Sequence, residues 1–254
     1  METSAMRLKD KKALVIGGLG GVGAAIVATL QAQGAQTCVS TFKHWDGNDA
    51  QIADKLHMDL CNTAQIDSMI AAAVKKMGHI DILVNAAGVI TYAPLVEIDD
   101  VGYNNLFDVN VRGTLFAMQA AAKHMIAAGI KGRMVNISSV AGMRGEAGLS
   151  LYCASKAAVI SMTQSAALEL IRHGIRVNCV VPGAVDTDMM RCLIKSRLLD
   201  QDVDDAMSNL ARIIPTGRIA EPSEIASCVA FLASDDSSYM VGESMVVSGG
   251  MYVG

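Results

Sequence analysis

Apolar residues along the chain follow two alternating patterns. Short runs rich in β-branched residues read as strands: "KALVIG" (12–17), "QTCVS" (36–40), "KLHMDL" (55–60), "IDILVNAAG" (80–88), "GRMVNISS" (132–139), "IRVNCVVPG" (175–183) and "ESMVVSGG" (243–250). Between most of them lie longer segments with apolar positions at helical spacing, at 22–34, 63–78, 104–129, 151–174 and 222–234. Strand, helix, strand repeated in this way predicts a parallel sheet with helices on both faces, and strands that are apolar almost throughout suit a sheet covered twice. The expected fold class is α/β: a single-domain, doubly wound, Rossmann-type sheet of about seven strands spanning 1–254. Residues 187–213, "TDMMRCLIKSRLLDQDVDDAMSNLARI", are helical in pattern but charged, and they intrude between the sixth and seventh strands. Such an excursion is expected to cover a site as a substrate lid.

Composition narrows the function classes. Hydrophobic residues make up 52% of the chain and charged residues only 18%, so a packed core is expected rather than disorder. A formal charge of −4 without dense basic runs gives no nucleic-acid surface. Residues 13–30 are uncharged and long enough to imitate a membrane span, but their glycine cluster falls where a span needs continuous helix, so no membrane association is expected. The polar start "METSAMRLKDKK" does not read as a signal peptide, and a cytoplasmic location is expected. The six cysteines and five histidines are scattered without metal-ligand spacing, which predicts no metal site and cysteines acting as small buried hydrophobes.

The stretch "ALVIGGLGGVGA" (13–24) carries candidate chemistry. Two glycine registers overlap in it. Gly18, Gly20 and Gly23 satisfy G-x-G-x-x-G, whereas Gly17, Gly21 and Gly23 satisfy G-x-x-x-G-x-G. A strand before and a helix after are the context of a phosphate-binding turn, in which glycine lets backbone approach a pyrophosphate and the helix start offers free N–H groups. A carboxylate at the tip of the second strand commonly grips the adenosine ribose. Here that tip runs into Thr41, Phe42 and Lys43, with Asp46 further on. A neutral Thr41 beside Lys43 would accept a 2′-phosphate, so NADP(H) is favoured and NAD(H) is the alternative.

"YCASK" places Tyr152 and Lys156 four apart on one helical face, with Ser139 thirteen residues earlier after a strand. A free phenol titrates near 10 and is a poor proton carrier at neutral pH. An ammonium about 4–5 Å away, at an effective dielectric near 20, contributes up to roughly 3–4 kcal/mol, enough to lower the phenol by two or three units. The serine hydroxyl can fix a carbonyl oxygen beside the phenol.

With these motifs in order the chain resembles the short-chain dehydrogenase/reductase family along nearly its full length. The resemblance implies the Gly17, Gly21, Gly23 register, with Val22 in the same turn. It implies nucleotide contacts at Asp59 and Leu60, at "NAAG" (Asn85, Ala86, Gly88), and at "PGAVDT" (Pro182, Gly183, Val185, Thr187), where Val185 and Thr187 touch nicotinamide. It makes Asn110, Ser139, Tyr152 and Lys156 the catalytic set, with Asn110 holding a water that links the lysine to solvent and Lys156 also binding ribose. Two positions depart from the family: Ile16 stands where threonine is usual, and Ala86 where a second asparagine is. Gly20 also occupies a place where many NADP-preferring relatives carry a basic residue.

Substrate is the least constrained feature. The stretches 93–120 and 144–175 look like bacterial polyol (sorbitol-type) dehydrogenases, and the ending 230–254 is shared with 3-oxoacyl-carrier-protein reductases. Arg144 and Glu146 could contact a hydroxylated substrate, while Met189, Met190, Leu193 and Ile194 would suit a bulky hydrophobic ketone. Three readings compete: a polyol or sugar oxidoreductase, a carbonyl reductase for other ketones including 3-oxoacyl thioesters, and a cofactor-binding regulator without turnover. Enoyl reduction and epimerisation fit poorly, since relatives performing them differ in tyrosine spacing or length. The family also implies a homo-oligomer, a tetramer or dimer built on the helices at 104–128 and 151–172 and the C-terminal strand.

Overall fold

The computed structural model describes residues 6–41, 55–197 and 202–253. All seven expected strands form, and they pair in parallel into one sheet: β1 (Lys12–Ile16), β2 (Gln36–Thr41), β3 (Lys55–His57), β4 (Ile82–Asn85), β5 (Arg133–Ile137), β6 (Arg176–Pro182) and β7 (Ser244–Val247), in the order β3-β2-β1-β4-β5-β6-β7. The third run stops at His57 instead of continuing to Leu60. β1, β4 and β6 are buried almost end to end, which is why their sequences read as unbroken apolar runs.

Helices cover both faces. The residues of α1 (Gly21–Ala32) and α8 (Pro222–Ala233) pack on one side through Ile26, Val27, Leu30, Ile225 and Val229. On the other side α2 (Thr63–Met77), α4 (Thr114–Ala127) and α5 (Ser150–Leu170) contribute Ile66, Met69, Ala73, Ala117, Ala121 and Ala167. Small alanines let these helices lie close to the strands. Local signals set the ends. Asn62 accepts N–H bonds from Ala64 and Gln65 to start α2, Gly78 (φ +87°) ends it, and Glu221 with Glu224 forms a capping box around Pro222 at the start of α8.

The segment expected as one helix from 104 has a more particular form. It begins earlier, as α3 (Asp100–Phe107), capped by Asp99. It then widens into a π turn (Asp108–Gly113) before continuing as α4. Such turns are uncommon and often sit at functional sites. Among the described residues of 187–213 are two helices, α6 (Asp188–Arg197) and α7 (Val203–Ile213), in apolar contact through Ile194, Ala206 and Met207. Residues 13–30 divide into β1, a turn and α1, and no described helix is long and apolar enough to cross a membrane.

Because the strand order reverses between β3 and β4, β1 and β4 lie side by side while their following segments diverge to opposite directions of the sheet. The crevice at their carboxyl ends is where open parallel sheets hold ligands.

Candidate active site

The expected residues gather at that edge. Gly17 follows β1, Thr41 ends β2, Asp59 lies two residues after β3, Asn85 ends β4, Ser139 lies two after β5 and Pro182 ends β6. In a sheet whose strands all run the same way, these positions share one rim.

Sterics separate the two glycine registers. Gly17 has φ +79°, and a Cβ there would lie 2.6 Å from the Ala87 backbone after β4. A Cβ on Gly23 would meet the Gly17 carbonyl oxygen at 2.1 Å, and one on Gly21 would meet Thr187 Cγ2 at 2.8 Å. Gly20, by contrast, has ordinary backbone angles (φ −81°, ψ 166°), and its nearest neighbour to a Cβ is at 3.6 Å. Gly18 is also confined, but by the side chains of Val39 and Val27. The turn therefore demands glycine at 17 and 23, where backbone stands in the way, crowds 18 and 21 against side chains, and tolerates a side chain at 20.

This turn fits a dinucleotide. The start of α1 has no side-chain cap and no acidic residue in its first turn, so its N–H groups and positive dipole end are left for an anion. The carboxyl ends of β1 and β4 approach so closely that Ala86 N–H donates to Ile16 O (2.9 Å). Thr187, after β6, lies directly against Gly21, with Val185 in a short parallel bridge to Ala220. Gly183 lets this segment pass β7: a Cβ there would stand 2.9 Å from the Ser248 Cα. At the far side Asp59 Oδ1 accepts the Cys61 N–H (2.9 Å), and Leu60 is buried against Gly113 of the π turn. Thr41, half-buried, ends β2 without a carboxylate in the strand; Phe42, Lys43 and Asp46 lie outside the described residues.

Asn110 sits in the π turn, buried, and clamps the loop that follows β4. Its Oδ1 accepts the Val89 N–H (2.8 Å), while Nδ2 donates to Val89 O (2.9 Å) and to Ser155 Oγ (3.1 Å). Both amide hydrogens are thus committed, so a water held by this side chain has only an Oδ1 lone pair to use. That atom is near the lysine: a Cβ on Gly88 would meet Asn110 Oδ1 and Lys156 Nζ at 3.3 Å each.

Ser139, Tyr152 and Lys156 come together as their spacing suggested. The Ser139 side chain caps a short 3-10 turn by accepting the Ala141 N–H (3.2 Å) and is hydrogen-bonded to the Tyr152 hydroxyl. The Lys156 amine lies 5.7 Å from the centre of the Tyr152 ring and donates to Ile137 O (3.0 Å). Electrostatics depart from the sequence argument. Burial pushes the Tyr152 phenol up to about 12, with the Ser139 hydrogen bond opposing and the Glu146 charge reinforcing. The same burial brings the Lys156 amine down to about 8. Removal from water disfavours both charged forms, and from the protein's own groups that effect exceeds the attraction of amine for phenolate. The phenol is accordingly a protonated donor at neutral pH, beside an amine poised to change charge.

A buried polar ladder under the site was missed in the sequence. Asn85 Nδ2 donates to Asn136 Oδ1 (2.8 Å), Asn136 Nδ2 donates to Thr163 Oγ1 (2.8 Å), and Ser138 Oγ donates to Lys156 O (2.8 Å). It ties β4 and β5 to the helix carrying Tyr152 and Lys156. Asparagine in a strand that should be wholly apolar was the available signal. Arg144 and Glu146, expected near a hydroxylated substrate, have separate partners: Arg144 donates to Met251 O and Glu146 accepts from Arg197. Of the cysteines, none is disulfide-bonded, and Cys192 is exposed rather than buried. No metal-holding cluster occurs among the described residues.

Comparison with known proteins places this architecture. A family model described as "Enoyl-(Acyl carrier protein) reductase" matches residues 17–252. The sorbitol dehydrogenase of Cereibacter sphaeroides is 38% identical over 256 residues, covering 98% of this chain and all of that protein. The 3-oxoacyl-[acyl-carrier-protein] reductase FabG of Escherichia coli (strain K12) is 35% identical over 255 residues, again covering 98% of this chain and 100% of that one. Among solved structures, the aldohexose dehydrogenase of Thermoplasma acidophilum superposes with a TM-score of 0.91 at 31% identity, covering 98% of this chain and 96% of that one. The chain belongs to the short-chain dehydrogenase/reductase family and is an NAD(P)-dependent alcohol dehydrogenase/ketone reductase.

Proposed function

We propose that the enzyme is NADP(H)-dependent and interconverts a secondary alcohol and a ketone on a polyol or sugar. The observation that carries the reaction is the cluster of Ser139, Tyr152 and Lys156 on the same sheet edge as the glycine turn. Bound NADP(H) would supply or accept a hydride. Ser139 holds the substrate oxygen, and Tyr152, protonated at neutral pH, gives that oxygen its proton in reduction and takes it back in oxidation. Lys156 stabilises the phenolate when charged and holds ribose. Asn110 fixes Val89 and the surroundings of the amine, with Oδ1 available to a linking water. Gly17, Gly21, Val22 and Gly23 would receive the pyrophosphate; Asp59, Leu60, Asn85, Ala86 and Gly88 the adenosine side; Pro182, Gly183, Val185 and Thr187 the nicotinamide side.

The phosphate preference rests on the absence of a carboxylate at Thr41, and the polyol preference on the named activities of the sorbitol and aldohexose relatives. A second reading, reduction of apolar ketones or 3-oxoacyl thioesters, is favoured by the wall of Val89, Ile90, Leu149, Met190 and Leu193 packed with Tyr152. Helices α6 and α7, the described parts of 187–213, act as the cover of the site within a single domain, with Met190 and Leu193 of α6 packed beside Tyr152. Exposed apolar side chains on α4 and α5 (Leu115, Ile126, Leu168) and on β7 (Val246) support assembly with further copies of the chain, a tetramer or dimer. The test is turnover of sorbitol, ketoses, 3-oxoacyl thioesters and aryl ketones with NADPH and NADH, alongside native mass measurement. Polyol turnover with a preference for the phosphorylated cofactor is expected. Ketone reduction with indifference to polyols would select the second reading.

A further inference from the structure

We propose that the Glu146–Arg197 pair, seated on the Tyr92 ring, recognises the additional hydroxyl groups of the substrate and so determines specificity for polyhydroxylated compounds; the inference rests on the polyol reading above. Three segments of the chain meet at this pair. Glu146 belongs to the loop between β5 and α5, six residues before Tyr152. Arg197 ends α6, whose Met190 and Leu193 pack in the cluster that contains Tyr152. Tyr92 lies after β4. Arg197 Nη1 donates to Glu146 Oε1 (2.6 Å), and the guanidinium lies 5.5 Å from the centre of the Tyr92 ring.

The platform is fixed rather than loose. Ala93 N–H donates to Gly148 O (2.9 Å), and Gly148 holds φ +78° with the Tyr92 ring so close that a Cβ would meet it at 2.1 Å. Both partners of the ion pair are about one-third exposed, at 38% and 35%, so the pair faces accessible space rather than core. Glu146 also lies within electrostatic reach of the reacting phenol, whose proton its charge helps retain.

The pair keeps hydrogen-bonding capacity for a ligand. Among the described residues Glu146 Oε2 accepts no hydrogen bond, and Arg197 Nε and Nη2 donate none. A carboxylate oxygen and several guanidinium N–H groups side by side match neighbouring hydroxyls, each of which both donates and accepts. The neighbouring Val89, Ile90, Leu149 and Leu193, packed in the cluster that contains Tyr152, offer only apolar contact. A substrate bearing hydroxyls next to its reacting carbon gains from the polar side what a plain secondary alcohol does not.

The test compares kcat/KM for sorbitol with that for 2-octanol in the wild type and in Glu146→Leu, Glu146→Gln and Arg197→Met, with thermal unfolding checking that each folds. The sorbitol-to-octanol ratio should fall about 30-fold or more in Glu146→Leu and Arg197→Met, chiefly through KM for sorbitol, with Glu146→Gln intermediate. Loss of the Glu146 charge should also move the pH profile of alcohol oxidation to lower pH. Equal losses on both substrates, or an unchanged ratio, would overturn the assignment. The two levels of failure separate cleanly. A wild type that oxidises 2-octanol but not sorbitol removes the polyol reading and this inference together. A wild type that prefers sorbitol, with variants that keep the preference, removes the inference alone.

Discussion

The two halves of the sheet edge are built by different means. Around β1 and β4 the work is done by backbone: glycines that admit close approach, an uncapped helix start, and carbonyls paired across strands. Around β5, β6 and α5 it is done by buried ionisable side chains, a phenol held at about 12 and an amine at about 8. The first half is determined by sterics, which act at contact and tolerate little. The second is determined by the balance of burial against neighbouring charge, which depends on everything that excludes water. Substitutions in the two halves should therefore fail in different ways.

Apart from Tyr152 itself, the largest effect is expected at Lys156. Lys156→Met should reduce turnover by about 10²–10⁴-fold, the usual range for a lost acid–base contribution. It should also stabilise the fold. With a folded value near 8 and an ordinary value of 10.5, the unfolded chain binds the extra proton, so stability rises with pH across that interval. The gain on removing the amine is hence full below pH 8, up to about 3 kcal/mol, and vanishes as pH rises to 10.5. Denaturant unfolding at pH 7 and pH 10.5 measures it, and a variant less stable than wild type at pH 7 would show that the Ile137 hydrogen bond outweighs burial.

Next comes the glycine turn. Gly23→Ala should weaken cofactor binding or the fold by about 1–3 kcal/mol, since its methyl group would strike the Gly17 carbonyl. Gly20→Ala should stay within about 0.5 kcal/mol of wild type. Fluorescence titration with NADPH separates the two, and equal effects would contradict the steric ordering.

The smallest effect concerns Ile16. It lies in register with Ser40 on β2 and Asn85 on β4, and Ser40 Oγ and Asn85 Oδ1 are both buried with no hydrogen-bond partner among the described residues. A hydroxyl between them would satisfy one or both, at the expense of some apolar burial. Ile16→Thr should raise Tm by about 1–3 °C, as a gain near 1 kcal/mol implies in a chain of this size. A lower Tm would mean that the lost packing outweighs the new hydrogen bond.

The same contrast explains what could be read in advance. Strand runs and the alternation of helices encode the sheet, because an element covered on both faces has to be apolar throughout. The glycine register was open in the sequence, where two spacings fit, and required the family likeness to choose; the approach of Ala87 to Gly17, seventy residues apart, is the contact that decides it. Side-chain identities at Ser139, Tyr152 and Lys156 were legible, but the direction of the phenol shift was not. A pairwise Coulomb argument sees the amine and not the apolar wall of Leu149 and Leu193. The π turn at Asn110 and the Asn85–Asn136–Thr163 ladder also lacked a periodic signal, since each depends on partners brought together only by the fold.

The central claim is that Tyr152 carries the proton to and from the substrate oxygen. Its most direct test is single-turnover reduction by Tyr152→Phe, measured together with NADPH affinity. The account predicts a loss of about 10³-fold or more in the chemical step, with cofactor affinity within about twofold of wild type, as the ring alone maintains the apolar packing. Turnover within tenfold of wild type, with the cofactor bound normally, would contradict it.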